Sequence, residues 1–377
     1  MMTEPVVSSD LPIPPGEYLE EVLAELGMSK DELAKRMDRP SPKLSAIFKG
    51  DKAITPETAL QLEKVVGVPA HVWTGLENEY RLAQARQCVQ SELDELEKQV
   101  PLVKKFCYVQ LVGLGFCMAK QHDTEKVVEL QRFLGVTSLE NVPHVSRYEA
   151  AFRCALRPKG QSPEATAAWL RMGEVKAREI ACKPFSSNTL HGLLPALKEL
   201  TRDVSAHMPN RVRDLLARAG VCFVLIPHFP GTYAQGATFW LGRERAVLLA
   251  TIRYAWADVF WFSLFHEIGH LLLHAKQDVI LECGSQDVTA RQREVQADRF
   301  AADALISPDA YRAFAHAGDI SQKAIERFAR HLGVHPGIVV GRLQHEGRLR
   351  TSWLNDLRVR YSWTTDPKAT PHRWAAV

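Results

Sequence analysis

Long hydrophobic runs and paired cysteines are both missing from this chain of 377 residues. Outside one helix candidate, the most apolar stretch is 109–118, far short of the roughly 20 residues that a membrane-spanning helix needs. The seven cysteines form no CxxC pair, so the sequence predicts reduced thiols rather than a disulfide framework or a cysteine metal site. The N-terminus lacks a basic segment followed by an apolar run, which argues against a signal peptide. These absences predict a cytoplasmic protein without a membrane partner.

Excess charge of one sign is also absent. The formal net charge is +3, and 46% hydrophobic and 24% charged residues are ordinary for a soluble globular protein. The length allows two or three domains. Charge balance alone therefore indicates no class of partner.

The most informative motif is FHEIGH over 265–270. His266 and His270 are four residues apart, so a helix presents both imidazoles on one face. Glu267 lies about 100° round that helix, within reach of a metal-bound water without being a ligand itself. The surrounding stretch 256–274 is an apolar helical pattern interrupted by these polar residues. This pattern favours paired or ligating histidines, the alternative being a hydrogen-bonded pair in the core.

A peptidase-type zinc site needs a third protein ligand and leaves one position for water. His274 is eight residues from His266, which rotates it about 80° and moves it roughly 12 Å along the helix, so we expect it to hydrogen-bond near the helix end instead. Glu294 and Asp298 are four apart on a second predicted helix. We predict that Glu294 is the ligand and that Asp298 accepts the free ring N–H of a ligating histidine. The alternative is two solvated charges.

The chemistry that these residues favour is peptide hydrolysis. Glu267 is the predicted general base toward a water whose pKa the metal lowers. Two imidazoles, a carboxylate and an open position favour Zn²⁺, although manganese or iron also accepts such ligands. The second donor to a developing oxyanion stays open between Tyr233, His228 and His207.

FHEIGHLLLH followed by ExxxADxFAADALISP resembles the ImmA/IrrE-type metallopeptidases, bacterial cytoplasmic proteases that cut repressors or related regulators. The resemblance covers about 221–361. The site that it implies has zinc ligands His266, His270 and Glu294 and the catalytic glutamate Glu267. The family pattern E-x-E-A-N/D is kept at Asp298, but Gln296 replaces its second acid.

A small sheet is predicted ahead of the FHEIGH helix. Its strands are 221–226, 237–241 and 246–252, with 242–245 as a hairpin loop. An edge strand of such a sheet can bind an extended substrate by main-chain pairing, and 237–241 is the candidate edge.

Four short amphipathic helices are predicted over 16–75. Their limits are set by Gly27 after the first, the capping box Ser29–Glu32 before the second, Ser41–Pro42 as cap and start of the third, and Thr55–Pro56 before the fourth. Short helices with tight polar turns are typical of a helix-turn-helix domain.

Residues 15–67 also resemble the HigA-like branch of the Xre/Cro-type antitoxins. The resemblance implies a recognition helix over 41–49. Helix-turn-helix proteins of this kind bind double-stranded DNA as two-fold pairs, so a homodimer is also expected. The residues predicted to lie nearest the base edges are Ser41, Lys43 and Ser45. The residues predicted to lie nearer the phosphates are Lys49 and Lys52. The first helix is acidic, so the alternative is a helical module used for dimerisation or protein recognition.

The chain is thus predicted to be α+β and mainly helical, with helices over 80–98, 123–134, 148–156, 165–180, 325–333 and 335–344. The predicted organisation is a disordered tail (1–15), a helix-turn-helix DNA-binding domain (16–75), a helical connector (76–205), a zinc metallopeptidase domain (206–361) and a second tail (362–377). The function expected is a zinc endopeptidase that cleaves a repressor- or antitoxin-like protein in bacterial stress, toxin-antitoxin or mobile-element control. The alternative is an antitoxin-like transcriptional repressor whose zinc domain senses or binds without cleaving.

Overall fold

The computed structural model describes residues 13–87, 89–153, 160–232, 234–274, 279–281, 288–364 and 373–375. The chain divides into two compact units, Met1–Glu95 and Leu96–Val377. Both are built mainly from helices, and the second also holds a small sheet, so the α+β class predicted from the sequence is confirmed. The predicted tail 1–15 lies almost wholly outside the described residues.

Five helices lie wholly within the first unit. They are α1 (Pro15–Glu25), α2 (Lys30–Arg36), α3 (Ser41–Phe48), α4 (Pro56–Val66) and α5 (Ala70–Gln87). The apolar residues at helical spacing form one buried core, which includes Leu19, Leu33, Ile47, Leu62 and Trp73. The hydroxyls of Ser29 and Thr55 accept backbone N–H groups of α2 and α4, as the capping pattern predicts.

Two details of this unit differ from the sequence prediction. Ser41 is the first residue of α3 rather than its cap, which is Pro40, and the Ser41 hydroxyl donates to Asp31 at 3.1 Å. The single helix expected over 80–98 is described as α5 and then α6 (Val89–Lys105), with residue 88 between them outside the described part.

Six more helices precede the sheet in sequence. They are α7 (Tyr108–Gly113), α8 (Asp123–Leu134), α9 (Ser146–Arg153), α10 (Pro163–Glu179), α11 (Ser187–Glu199) and α12 (Met208–Arg218). The expected helix 123–134 is therefore confirmed at both ends. Gly173 of α10 lies against the sheet so closely that a Cβ there would be 2.6 Å from a methyl carbon of Leu249.

The sheet has four strands among the described residues. They are β1 (Val221–Leu225), β2 (Gly236–Leu241), β3 (Arg245–Ala250) and β4 (Val279–Leu281), in the order β1-β3-β2-β4. β1 runs parallel to β3, and β2 is antiparallel to both β3 and β4. The expectation that 237–241 is an edge strand is therefore wrong, because β4 covers it from Ala237 to Phe239 and the edges are β1 and β4.

Both faces of this sheet are covered by helices. Along β1, alternate residues enter two different cores: Val221 and Phe223 pack in the core that contains the FHEIGH helix, and Cys222 and Val224 pack in the core that contains α10. All five residues of β1 are buried as a result. Such burial on both faces gives a three-layer arrangement and a rigid support under the site.

The remaining helices follow the sheet in sequence. They are α13 (Ala257–Leu273), α14 (Val288–Leu305), α15 (Pro308–Ala317), α16 (Gln322–Leu332) and α17 (Pro336–His345). Within the predicted tail, β5 (Ser362–Thr364) and β6 (Arg373–Ala375) form a short parallel pair. None of the helices in the described part of the chain combines the length and apolar content that a bilayer crossing requires.

Candidate metal centre

The centre lies where α13 and α14 cross, and a glycine permits their close approach. A Cβ at Gly269 would be 3.0 Å from Cδ1 of Phe300 and 3.3 Å from Cα of Ala297. Ala297 and Ala301 of α14 are fully buried. Small residues on both helices therefore bring the two backbones together, and the glycine inside FHEIGH has a packing role that the sequence analysis did not identify.

Three ligand-type side chains converge at this crossing. Nε2 of His266 and Nε2 of His270 are 2.9 Å apart. The Glu294 carboxylate oxygens lie 3.2 Å from Nε2 of His266 and 3.5 Å from Nε2 of His270. The ligand atoms of all three residues fit within 4.8 Å of one another. Tetrahedral zinc with bonds near 2.05 Å has ligand atoms separated by about 3.4 Å, so this donor set fits the metal.

The charge state of Glu294 suits such a site. Burial raises the pKa of this carboxyl, but hydrogen bonds from His266 and His270 outweigh that effect and hold the pKa at about 2. Glu294 is therefore an anion throughout the physiological range and requires no deprotonation before it can bind a cation.

The outer nitrogens of both histidines have partners on the same two helices. Nδ1 of His266 lies 2.9 Å from Oδ1 of Asp298, the contact expected from the sequence. Nδ1 of His270 lies 3.0 Å from Nδ1 of His274, and Nε2 of His274 lies 3.0 Å from Oε1 of Gln296. His274 immediately follows α13 and hydrogen-bonds there, away from the three converging ligand atoms, as expected.

Glu267 points toward the start of β2. Its side chain is buried, and a Cβ on Gly236 would be only 2.5 Å from Oε1 of Glu267. The adjacent Gln235 accepts a hydrogen bond of 2.8 Å from the hydroxyl of Ser263 on α13. Gly236 thus provides the space that this glutamate occupies. The sequence analysis missed it because a glycine that opens a strand has no motif of its own.

The three candidates for a second oxyanion donor are at different places. Nδ1 of His228 is 3.3 Å from the hydroxyl of Thr251, and burial, with Arg253 nearby, lowers the pKa of His228. His207 directly precedes α12. Tyr233 lies outside the described residues.

The predicted DNA contacts belong to the first unit. α3 buries Leu44, Ile47 and Phe48, and its opposite side faces solvent. The five predicted contact residues are all exposed: Ser41, Lys43, Ser45, Lys49 and Lys52. Lys43 on α3, Lys49 directly after it and Lys52 in the following turn thus provide an accessible basic surface, which suits approach to a polyanion.

Comparison with known protein families places both regions. The model of a helix-turn-helix domain matches residues 19–73, and the model of the IrrE N-terminal-like domain, a peptidase family, matches residues 258–344. The second range begins in α13 and ends in α17, so it contains the whole His–His–Glu cluster.

Three known proteins are similar to part of this chain. An uncharacterized HTH-type transcriptional regulator of Escherichia coli strain K12, YddM, is 36% identical over 75 residues, which are 20% of this chain and 80% of that protein. Virulence-associated protein I of Dichelobacter nodosus is 35% identical over 92 residues, 24% of this chain and 85% of that protein. The solved structure of an addiction module antidote protein of the HigA family from Coxiella burnetii has 34% identity and a TM-score of 0.20, and covers 22% of this chain and 91% of its own.

These matches define a helix-turn-helix regulator joined to a peptidase-like domain. The chain carries a helix-turn-helix domain at residues 19–73 and an IrrE-like peptidase domain at residues 258–344.

Proposed function

We propose that this chain is a zinc-dependent endopeptidase of the cytoplasm, in which a peptidase domain (206–361) is fused to a DNA-binding domain (16–75). The observation that carries the proposal is the approach of Glu294 to His266 and His270, with Glu267 buried one residue from the first histidine. A solvated pair of charges on α14 does not account for this approach, because the Glu294 carboxylate faces both imidazoles and holds an acid pKa there.

His266, His270 and Glu294 would hold the zinc, and Asp298 would fix the ring of His266 through its Nδ1–H. Bound zinc lowers the pKa of a water molecule and polarises a carbonyl oxygen. Glu267 then accepts the proton of the attacking water and delivers it to the leaving amine of the substrate. Gly236 leaves the space in which the Glu267 carboxylate lies, and the burial of Glu267 limits its contact with bulk water.

Two measurements on one pair of variants test the zinc and the chemistry separately. Purified protein should contain about one zinc per chain, Glu294→Ala should lose it, and Glu267→Gln should keep it. In cells, new protein N-termini that appear with wild-type protein and disappear with Glu267→Gln would identify the substrate. Identical sets of N-termini for both proteins would refute the protease proposal.

The substrate class that we propose is a repressor- or antitoxin-like regulator. The helix-turn-helix match and the relatives named as a transcriptional regulator and an addiction module antidote support a chain that works at the DNA of such systems. The exposed lysines Lys43, Lys49 and Lys52, on α3 and directly after it, would contact operator DNA. Operators with two-fold symmetry would require a homodimer of this chain.

A gel shift on the DNA upstream of the protein's own coding region, at stated salt, tests this second activity. Lys43→Ala and Lys49→Ala should each weaken binding. Lys49→Ala should also reduce the salt dependence by about one unit of slope, because it removes a predicted phosphate contact. Lys64→Ala, an exposed lysine of α4, is the matched control. Unchanged binding in both variants would indicate that α3 and the residue after it are not the DNA-reading element.

The second candidate function is a transcriptional repressor whose metal domain binds a partner without cutting it. The helix-turn-helix domain favours it independently of the metal centre. This function requires normal repression and no change in cleavage products when Glu267 is replaced by glutamine, whereas the protease proposal requires the loss of those products.

A further inference from the structure

We propose that His274 and Gln296 are positioning residues that fix the ring of His270 as a metal ligand. The proposal rests on the zinc site proposed above, and it concerns residues outside the set of three ligands. Its basis is a continuous hydrogen-bond chain from His270 through His274 to Gln296, with steps of 3.0 Å and 3.0 Å.

The direction of each hydrogen bond follows from the metal-facing nitrogen. Nε2 of His270 faces His266 and Glu294, so it must bind the metal through its lone pair and Nδ1 must carry the proton. Nδ1–H of His270 therefore donates to Nδ1 of His274. His274 in turn carries its proton on Nε2, which donates to the carbonyl oxygen of Gln296.

The chain joins the two helices that supply the ligands. His274 ends α13, and Gln296 lies on α14 two residues from Glu294. Its amide oxygen is a neutral acceptor, so it holds His274 in one tautomer without adding charge next to the metal. The same bond ties the end of α13 to the turn of α14 that carries the third ligand.

Zinc affinity measured by competition with a coloured chelator tests the proposal on the full chain. His274→Ala should weaken binding by about 10- to 100-fold, and Gln296→Leu should weaken it in the same direction. Gln296→Glu keeps an acceptor oxygen and should retain affinity. Arg299→Ala, at a highly exposed residue of α14, is the matched control. The double variant His274→Ala/Gln296→Leu should be no weaker than His274→Ala, because the two residues act in series.

The histidine tautomers of the zinc-loaded protein provide a second measurement besides affinity. In protein labelled with ¹⁵N-histidine, His274 should be in the Nε2–H form and should lose that preference in Gln296→Leu. Wild-type affinity in Gln296→Leu, or additive losses in the double variant, would overturn the proposal. A wild-type protein that binds no zinc would refute the proposed function, whereas zinc binding with His274 in the Nδ1–H form would overturn only the hydrogen-bond chain.

A different observation carries a second proposal, which is independent of the metal site. We infer that Cys182 and Cys222 form an oxidisable thiol pair, with a hydroperoxide as the oxidant. Their sulfur atoms are 3.1 Å apart, although 40 positions separate them in the chain. A disulfide bond of about 2.05 Å thus requires an approach of about 1 Å.

The two thiols differ in the way that such a reaction needs. Cys182 is partly exposed, and the guanidinium of Arg245 lies beside it. Cys222 is fully buried in β1, and burial raises its pKa to about 12, so it remains a thiol. Backbone hydrogen bonds from Lys183 to Ala217 and from Phe185 to Glu244 hold the segment of Cys182 in place.

The reaction is balanced in two steps. The Cys182 sulfur attacks the terminal peroxide oxygen, the O–O bond breaks, and the sulfur is oxidised to a sulfenic acid. The proton of the Cys182 thiol passes to the leaving oxygen, so the peroxide is reduced to an alcohol or, for hydrogen peroxide, to water. Cys222 then attacks that sulfur, the S–O bond breaks, and its thiol proton leaves with the oxygen as water.

Peptide mapping of full-length protein after hydrogen peroxide treatment tests the pair. A Cys182–Cys222 linked peptide should form and should disappear with dithiothreitol, and in Cys222→Ser a sulfenic acid at Cys182 should be trapped by dimedone. Arg245→Gln should slow the reaction several-fold, whereas Arg243→Gln should not. Recovery of both cysteines as thiols, or a bond from Cys182 to any other cysteine, would overturn the proposal.

Discussion

At the scale of single residues, the candidate site depends on side chains that fill or leave space within a few tenths of an ångström. The clearest case is Gly236, whose missing Cβ leaves room for the carboxylate of Glu267. The two residues are far apart in the sequence, and the packing of α13 against β2 brings them together.

Gly236→Ala should therefore abolish most peptidase activity while zinc content stays near one per chain. The added Cβ would lie 2.5 Å from Oε1 of Glu267, so the carboxylate must move. A displacement near 1 Å at a reacting group costs about 10²-fold in rate. Gly192→Ala, on α11 with open space around the new Cβ, is the control and should keep full activity.

Glu294 predicts a pH dependence of stability in the metal-free protein. Its pKa falls from 4.5 in the unfolded chain to about 2 in the folded one, so the ionised carboxylate stabilises the fold fully above pH 4.5. That contribution is lost as the pH falls from about 4.5 toward 2. Glu294→Gln should thus lower the melting temperature at pH 7 and have a progressively smaller effect below pH 4.5. An effect that grows on acidification would contradict this assignment.

At the scale of elements, the crossing of α13 and α14 determines whether three ligand atoms meet. The crossing is close because Gly269 faces Ala297 and Phe300. A larger residue at this position forces the helices apart and carries Glu294 away from the imidazoles.

Gly269→Val should therefore destabilise the second unit by about 1–3 kcal/mol, the usual cost of overpacking, and should weaken zinc binding. Gly75→Val, in the interior of α5 with open space around a new Cβ, controls for the loss of a helical glycine. Chemical denaturation and chelator competition on both variants provide the comparison. Equal zinc affinity in Gly269→Val and wild type would show that the crossing tolerates more separation than its geometry indicates.

At the scale of the whole molecule, the chain divides into two units with different activities proposed for each. The helix-turn-helix match lies in the first unit and the peptidase match in the second. Zinc binding should therefore stabilise the second unit and leave the stability of the first unit unchanged.

Removal of zinc with a chelator should lower the melting temperature of the second unit, because a ligand bound only to the folded state stabilises it by mass action. The effect should be absent in Glu294→Ala, which lacks one ligand. Calorimetry of both proteins with and without chelator checks this prediction. If the chelator lowered the melting temperature of Glu294→Ala by the same amount, the metal would be bound at a site other than His266, His270 and Glu294.

Local patterns in the sequence determined the helices of the first unit, the hairpin of β2 and β3, and the face shared by His266 and His270, because a helix or hairpin depends on neighbours a few residues apart. The spacing of Glu294 and Asp298 predicted the distant third ligand, and the resemblance to ImmA/IrrE-type peptidases implied the same residue. The tertiary structure alone decided that β4 pairs with β2, that Gly236 lies against the carboxylate of Glu267, and that His274 hydrogen-bonds Gln296. These contacts join residues far apart in the chain, and their distances depend on how helices and strands cross, which no periodicity within one element encodes.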